Sequence, residues 1–365
     1  MTLRPALAWL LATSAGVYPG VLPAATPTAA APAQFNDAVA MYKARHFAEA
    51  LSLFEALAAT GEARAEFALA VMYQHGHGVP VDTSLAREWY QKAAEHGYVK
   101  AQINLALLLE RGDVEHEPNP LAALDWYAEA AGHGNRDALT RLEEQVTTGQ
   151  ARAAALLGRL FLTGSGVPKD PGRALSLLEQ AAQGGERDAA YNLGVMHGLG
   201  LGVAKDARSA ALWYRRAAEA GDSGAAYNLG LLLVQEPSLA SDFEGPAVWL
   251  RRAVAGGHAG AGYALALALE RDGLTPETAA EVLERYREAA RTGELGAQVN
   301  LGYLLARPEA AAEQLNEAYA WTSIAARRGD PAAAANLKRL DSMVGDATRT
   351  EASALAESWG MGQVP

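Results

Sequence analysis

At 365 residues, with 31 Lys+Arg against 42 Asp+Glu and a formal net charge of −11, the chain has room for two or three compact domains or one long array. It gathers no run of basic residues able to neutralise a nucleic-acid backbone or to dock on anionic lipid. It contains no cysteine, which excludes disulfides, thiolate zinc sites, iron–sulfur clusters and cysteine nucleophiles together.

The first element in chain order is a leader. Arg4 is the only basic residue before Lys43, Ala6–Val17 is an apolar run, and small residues follow, with cleavage sites at Ala24–Ala25 or Ala29–Ala31. This is the pattern of a secretory signal peptide with an Ala/Pro-rich extension, over 1–31. The run is too short to span a bilayer, which takes about 20 apolar residues, and no other segment qualifies. The sequence therefore predicts an exported protein, periplasmic or secreted, with no transmembrane segment in the mature chain and no cysteine for a lipid anchor. Its mature N-terminus is expected between Ala24 and Gln34.

A loose helical pair follows over 34–61, where Tyr42, Phe47, Ala50 and Phe54 have the spacing of a tetratricopeptide-type hairpin. An array of repeats then runs over 65–329. Ala189-Ala190-Tyr191-Asn192-Leu193-Gly194 returns 36 residues later as Ala225-Ala226-Tyr227-Asn228-Leu229-Gly230, and further steps of 36 reach Ala261, Ala297 and Ala333. Ala65 and Ala101 are also 36 apart, and Ala153 opens another copy after a break in phase near 135–152. The second half repeats as well: Trp89-Tyr90, Trp126-Tyr127, Trp213-Tyr214, Trp249-Leu250 and Trp321-Thr322 each precede a pair of small residues and a closing glycine.

Each repeat reads as two helices. In the first, exemplified by Ala189–His197, positions one, five and nine share a face. A glycine turn follows in three copies, Gly76-His77-Gly78-Val79, Gly164-Ser165-Gly166-Val167 and Gly200-Leu201-Gly202-Val203. Three residues after each valine stands Asp82, Asp170 or Asp206, an acceptor suited to capping the second helix. Between Gly112 and Pro120 the turn is one residue longer, Ala138–Thr148 looks like an abbreviated repeat, and 330–365 is expected to supply C-terminal capping helices, including Ala352–Trp359.

These residues resemble the Sel-one-like repeat family, a branch of the tetratricopeptide-repeat superfamily, whose pattern runs A-x-x-x-L-G-x-x-Y-x-x-G-x-G-V-x-x-D and then A-x-x-W-Y-x-x-A-A-x-x-G. The copies at Ala65 and Ala189 are nearly complete; those at Ala225, Ala261 and Ala297 lack the glycine turn. The resemblance implies an all-α, right-handed superhelix of about 36-residue repeats and roles in protein–protein recognition, envelope assembly, exopolysaccharide secretion or signalling. Two alternatives come with it. One is a secreted factor contacting host proteins; the other is a β-lactam- or cell-wall-ligand-binding hydrolase, as claimed for cysteine-rich relatives whose cysteines are all missing here.

No motif points to chemistry or to a cofactor. The Gly-x-Gly turns lack the Lys-Ser/Thr pair of a phosphate loop, and His75-x-His77 offers two imidazoles where zinc takes three or four ligands. His96 and His133 sit where a helix dipole favours them, while Glu115-His116-Glu117 and Glu143-Glu144 read as solvated charges. No serine lies in a G-x-S-x-G context. The binding surface, for a protein or peptide partner, is placed on the first helices. Positions three, four and seven fall on the arc that lines the concave face in tetratricopeptide-like arrays. They hold Tyr191, Tyr227 and Tyr263; Asn104, Asn192, Asn228 and Asn300; and Val195, Leu231, Leu267 and Tyr303. The same residues could instead fill the seams between neighbouring helices.

Overall fold

The computed structural model describes residues 31–113, 116–307 and 310–359; the leader read over 1–31 lies outside them except for its last residue. The described residues are helical, without strands, so the fold is an all-α solenoid of helix–turn–helix repeats. None of these helices is long and apolar enough to cross a membrane. They form two compact units, divided in sequence between Asp206 and Ala207.

The N-terminal unit opens with the hairpin α1 (Ala31–Lys43) and α2 (Phe47–Ala58). The pairs α3 (Ala63–His75) and α4 (Thr83–Glu95), and α5 (Val99–Arg111) and α6 (Pro120–Gly132), come next. A lone helix, α7 (Arg136–Thr147), precedes the pair α8 (Ala151–Thr163) and α9 (Pro171–Gln183), and α10 (Arg187–Leu199) ends the unit. Position one and position five are buried along the row: Ala65 with Leu69, Ala101 with Leu105, Ala153 with Leu157, Ala189 with Leu193. The abbreviated repeat is α7, a first helix with no second. Ala138 and Leu142 are buried at its positions one and five, and α6 packs against both α7 and α8.

The glycine turns are built alike. Gly76, Gly164 and Gly200 take the left-handed conformation at φ 70°, 80° and 74°, which ends the first helix without a Cβ penalty. The amides of Asp82, Asp170 and Asp206 then donate to the carbonyls of Tyr73, Phe161 and His197 at 3.0, 2.9 and 2.9 Å. The Asp82 and Asp170 carboxylates accept from the amides of Leu85 and Arg173 at 2.8 and 3.0 Å, the capping arrangement expected. The second glycine lets the turn rest on the preceding repeat. A Cβ on Gly78 would lie 2.5 Å from the Phe47 Cβ and one on Gly202 2.7 Å from the Pro171 carbonyl, while on Gly166 it would overlap the Ala131 carbonyl.

The C-terminal unit has the same faces and different connections. Its helices are α11 (Ala207–Glu219), α12 (Ser223–Gln235), the short α13 (Ala240–Phe243), α14 (Pro246–Ala255), α15 (Ala261–Asp272) and α16 (Pro276–Arg291). They continue with α17 (Leu295–Leu305), α18 (Ala312–Arg327), α19 (Pro331–Asp341) and α20 (Asp346–Ser358). Between α12 and α14 the chain folds a 3-10 turn and α13, burying Phe243, whose carbonyl accepts from the Trp249 indole. Only Gly273, Leu274 and Thr275 separate α15 from α16, and Thr275 caps α16. The closing helix α20 begins six residues earlier than the sequence suggested. Gly345 breaks the chain, and Asp346 favours the positive end of a new helix. It packs on α18, with Trp359 stacked 4.1 Å from Trp321.

Candidate functional site

The first-helix positions divide into a seam and a partly open row. At position three, Phe67 packs 5.1 Å from the Tyr98 ring, and Tyr227 stacks 4.2 Å from His258. Tyr263 lies against Gly296, with its ring 6.0 Å from Tyr286. The entry to the next first helix, at Tyr98, His258 or Gly296, therefore covers the aromatic ring. Burial pushes the Tyr227 and Tyr263 hydroxyls up to about 12. Tyr227, Asn228, Leu231 and Tyr263 are thus buried and do not line an open groove. The helical-wheel argument placed them outward because it sees one helix and not the chain entering its neighbour. Tyr191 is half-buried.

Position four is also occupied by packing. Asn300 Nδ2 donates to the Tyr286 hydroxyl at 3.3 Å, Asn336 Nδ2 to Thr322 Oγ1 at 3.4 Å, and Asn104 hydrogen-bonds the Tyr90 hydroxyl. Those tyrosines in turn donate to position ten of their own first helix: Tyr90 to Gln74 at 2.6 Å, Tyr286 to Glu270 at 2.6 Å, and Tyr127 to Glu110 at 3.0 Å. Tyr90 and Tyr286 are therefore held between their own repeat and the next. Burial, with Glu270 beside it, raises the Tyr286 hydroxyl well above its usual range. Asn192 differs; its Nδ2 donates to the Asp188 carbonyl at 2.8 Å.

The histidines serve the same seams. His77 Nδ1 is 2.7 Å from the Tyr42 hydroxyl and its ring stacks 5.1 Å from Phe47, so it joins the N-terminal hairpin to the first full repeat. His96 Nδ1 lies 2.8 Å from the buried carboxylate of Glu66, a tertiary contact beyond the helix-end role read for it. His116 pairs with Asp113 at 2.9 Å. Burial lowers the affinity of His258 for a proton, with Asp222 opposing. Among the described residues no group of three or more His, Cys, Asp or Glu could hold a metal ion.

Two features escaped the sequence reading. Position two carries Glu66, Gln102 and Gln298, all buried; Gln102 and Gln298 donate to the Ala94 and Ala290 carbonyls at 3.3 and 3.1 Å, closing the preceding second helix. Ion pairs also join consecutive second helices, Arg251–Glu281 and Arg287–Glu317 at 2.7 Å each. With the same spacing in sequence, Arg173 of α9 pairs with Glu143 of the lone helix α7 at 3.3 Å. Both features were visible as polar residues recurring in phase.

Position seven is more open, except at Leu231, which is buried. Val71, Leu107, Arg159 and Val195 are half-buried in the N-terminal unit. In the C-terminal unit Leu267 is half-buried and Tyr303 is 44% exposed, its hydroxyl donating to the Ala332 carbonyl at 3.1 Å.

The profile of the Sel1 repeat matches residues 63–98, 99–135, 151–186, 187–222 and 296–330. This is a Sel1-repeat protein. The matched stretches leave out 136–150, where α7 stands alone, and 223–295, where the connections are irregular. Among solved structures the chain is similar to c5321, a protective antigen present in uropathogenic Escherichia coli strains and displaying an SLR fold. That pair is 23% identical over 90% of this chain and 84% of the other, with a TM-score of 0.43. It is also similar to a Sel1 repeat protein from Oxalobacter formigenes, at 27% identity over 69% and 96% of the two chains and a TM-score of 0.34. With the TPR domain of P58(IPK) it shares 15% identity over 92% and 94%, at a TM-score of 0.26.

Proposed function

We propose that this Sel1-repeat protein is an exported, periplasmic adaptor that holds a protein or peptide segment along its first helices, in envelope assembly, polysaccharide secretion or signalling, and that it performs no catalysis. The observation that carries the reading is the partly open apolar side chains at position seven on either side of the buried Leu231. Val71, Leu107 and Val195 in one unit, and Leu267 and Tyr303 in the other, keep apolar surface in reach of solvent. They do so on helices whose other faces are engaged in packing. Within each unit, apolar side chains at the same repeat position form a surface that a partner can cover. The export half of the reading rests on Arg4, the apolar run after it and the small residues that follow.

Two measurements test the reading. Protein taken from its native host should begin between Ala24 and Gln34, and an intact Met1 in a soluble cytosolic fraction rejects export. Affinity capture from the native envelope should return a stoichiometric partner. Val195→Asp and Leu267→Asp should each cut its yield about tenfold or more, as loss of a central apolar contact does, with the circular dichroism spectrum unchanged. Arg251→Ala, on the second-helix side, should not. Full capture by both aspartate variants would remove the first-helix face from consideration.

A further inference from the structure

A cavity of about 380 Å³ opens in the C-terminal unit, lined by Leu274, Ala279 and Leu283 near the start of α16 and by Leu304, Leu305 and Arg307 at the end of α17. Its position in the repeat explains it. In the N-terminal hairpin, Phe47 and Leu51 stand 18 and 14 residues before position one of the next first helix, Ala65, and Met72 is position eight of that helix. Met72 belongs to the buried cluster against which Phe47, Leu51 and Val79, the valine of the glycine turn, all pack, and Gly78 abuts Phe47. Counting back from Ala297 in the same way, the equivalents of Phe47, Leu51 and Met72 are Ala279, Leu283 and Leu304. All three line the cavity. The repeat at Ala297 has no glycine turn and carries Ala311 at the register of Val79, so the apolar walls face a smaller side chain there, and alanine in place of phenylalanine widens the space.

The turn's acid is gone as well. Asp82 and Asp170 cap their second helices, whereas α18 is preceded by Ala311, which offers no side-chain cap. At the rim Arg307 is exposed. Arg251 and Arg287, elsewhere in the unit, are both ion-paired.

We propose that this widened socket is a docking site for an extended segment of a partner protein that carries an aliphatic side chain and, a few residues on, a carboxylate: the side chain fills the cavity between α16 and α17, and the carboxylate pairs with Arg307. The chain itself supplies the template, because the same register holds a Gly-x-Gly-Val turn followed by Asp wherever the turn is present. The proposal rests on the adaptor reading but uses a different surface from the partly open first-helix row.

The probe is the acetylated, amidated peptide Gly-Ser-Gly-Val-Pro-Lys-Asp, the sequence of residues 164–170, titrated into the full chain and followed by nuclear magnetic resonance. Saturable shifts are expected at the amides of Ala279, Leu283 and Arg307. Replacing the peptide valine by serine should weaken binding at least tenfold, and Leu283→Trp, which fills the cavity, should abolish it. Arg307→Ala and an Asn-for-Asp peptide should each weaken it severalfold but not additively, since both remove the same pair. Arg307 is exposed, so its variant tests the site even where Leu283→Trp misfolds. Absence of a saturable change at millimolar peptide, or equal binding by wild type and Arg307→Ala, overturns the proposal. So does a saturable response to octanoate with none to the peptide, which would assign the cavity to a small amphiphile. Val195→Asp should leave the titration unchanged, so that failure of the socket and failure of the first-helix reading are separable.

Discussion

The N-terminal and C-terminal units share one set of buried faces and differ in how each first helix reaches its second. In the N-terminal unit the glycine turns do two jobs. They cap the helices on both sides, and through Gly78 and Gly202 they press on the first residue of an earlier second helix. The C-terminal unit has in their place a short helix between α12 and α14, a three-residue link between α15 and α16, and a glycine-free stretch after α17. Its core persists regardless, because Ala225, Leu229, Ala261, Leu265, Ala297 and Leu301 are buried as in the other unit. Two of its second helices, α16 and α18, run to 16 residues against 13 for α4 and α9, and its ion pairs at 2.7 Å are shorter than Arg173–Glu143. Stacking of the helix faces is thus separable from the turn, which adds a close backbone contact between repeats where it is present.

The sharpest way to break that comparison is to load the turn. Gly166→Ala forces a side chain into left-handed backbone at φ 68° and against the Ala131 carbonyl, which should cost about 2–4 kcal/mol in strain and overpacking. Gly273 in the C-terminal unit also has positive φ but open space around it, so Gly273→Ala should cost only about 1–2 kcal/mol. Urea unfolding of the two variants decides it; equal losses would mean that the turn carries no seam.

The contrast also shows what could be read from the sequence. The repeats, the caps at Asp82 and Asp170, and the missing turns were legible because each is a local pattern repeated in phase. For Tyr227 and Tyr263 a single-helix projection left groove lining and seam packing open, because what buries them is the chain entering the next helix some 31–33 residues on. The socket beside Ala279 was invisible for a related reason. The missing turn shows in its own repeat, but the cavity beside it depends on the side chains that the previous second helix presents there.

The tyrosine network gives a second, smaller effect. Tyr286→Phe leaves Asn300 and Glu270 without their shared hydroxyl, whereas Tyr127→Phe strips a single acceptor, Glu110. The former should cost about 1–3 kcal/mol and the latter about 0.5–1.5 kcal/mol, following the cost of leaving polar groups unsatisfied. Thermal unfolding of the two proteins side by side measures the difference; the reverse order would show that the link between repeats is not what holds the ring.

The caps can be exchanged between units. Asp170→Ala should cost about 1 kcal/mol, and Ala311→Asp, which restores to α18 the acceptor that the other unit keeps, should return about 0.5–1 kcal/mol. A destabilising Ala311→Asp would show that the residue ahead of α18 cannot present its side chain as the last residue of the glycine turn does.

The smallest expected effect separates the units by pH. Position three packs Phe67 on Tyr98 in one unit and Tyr227 on His258 in the other, so the second seam contains a group that titrates. Burial disfavours the charged imidazole, Asp222 offsets part of this, and Nδ1 has no hydrogen-bond partner among the described residues. The folded-state proton affinity of His258 is therefore below its unfolded value. A depressed value means that the stabilisation is complete above the unfolded pKa of about 6.5 and is lost as pH falls through it towards the folded one. Hydrogen exchange of α12 and α15 amides should accordingly quicken on going from about pH 7.5 to pH 5, after correction for the intrinsic rate. In His258→Phe, which keeps an aromatic ring against Tyr227 and removes the proton site, that acceleration should shrink while exchange at pH 7.5 changes little. An undiminished acceleration in the variant would place the acid sensitivity elsewhere in the unit and leave the Tyr227–His258 seam as packing alone.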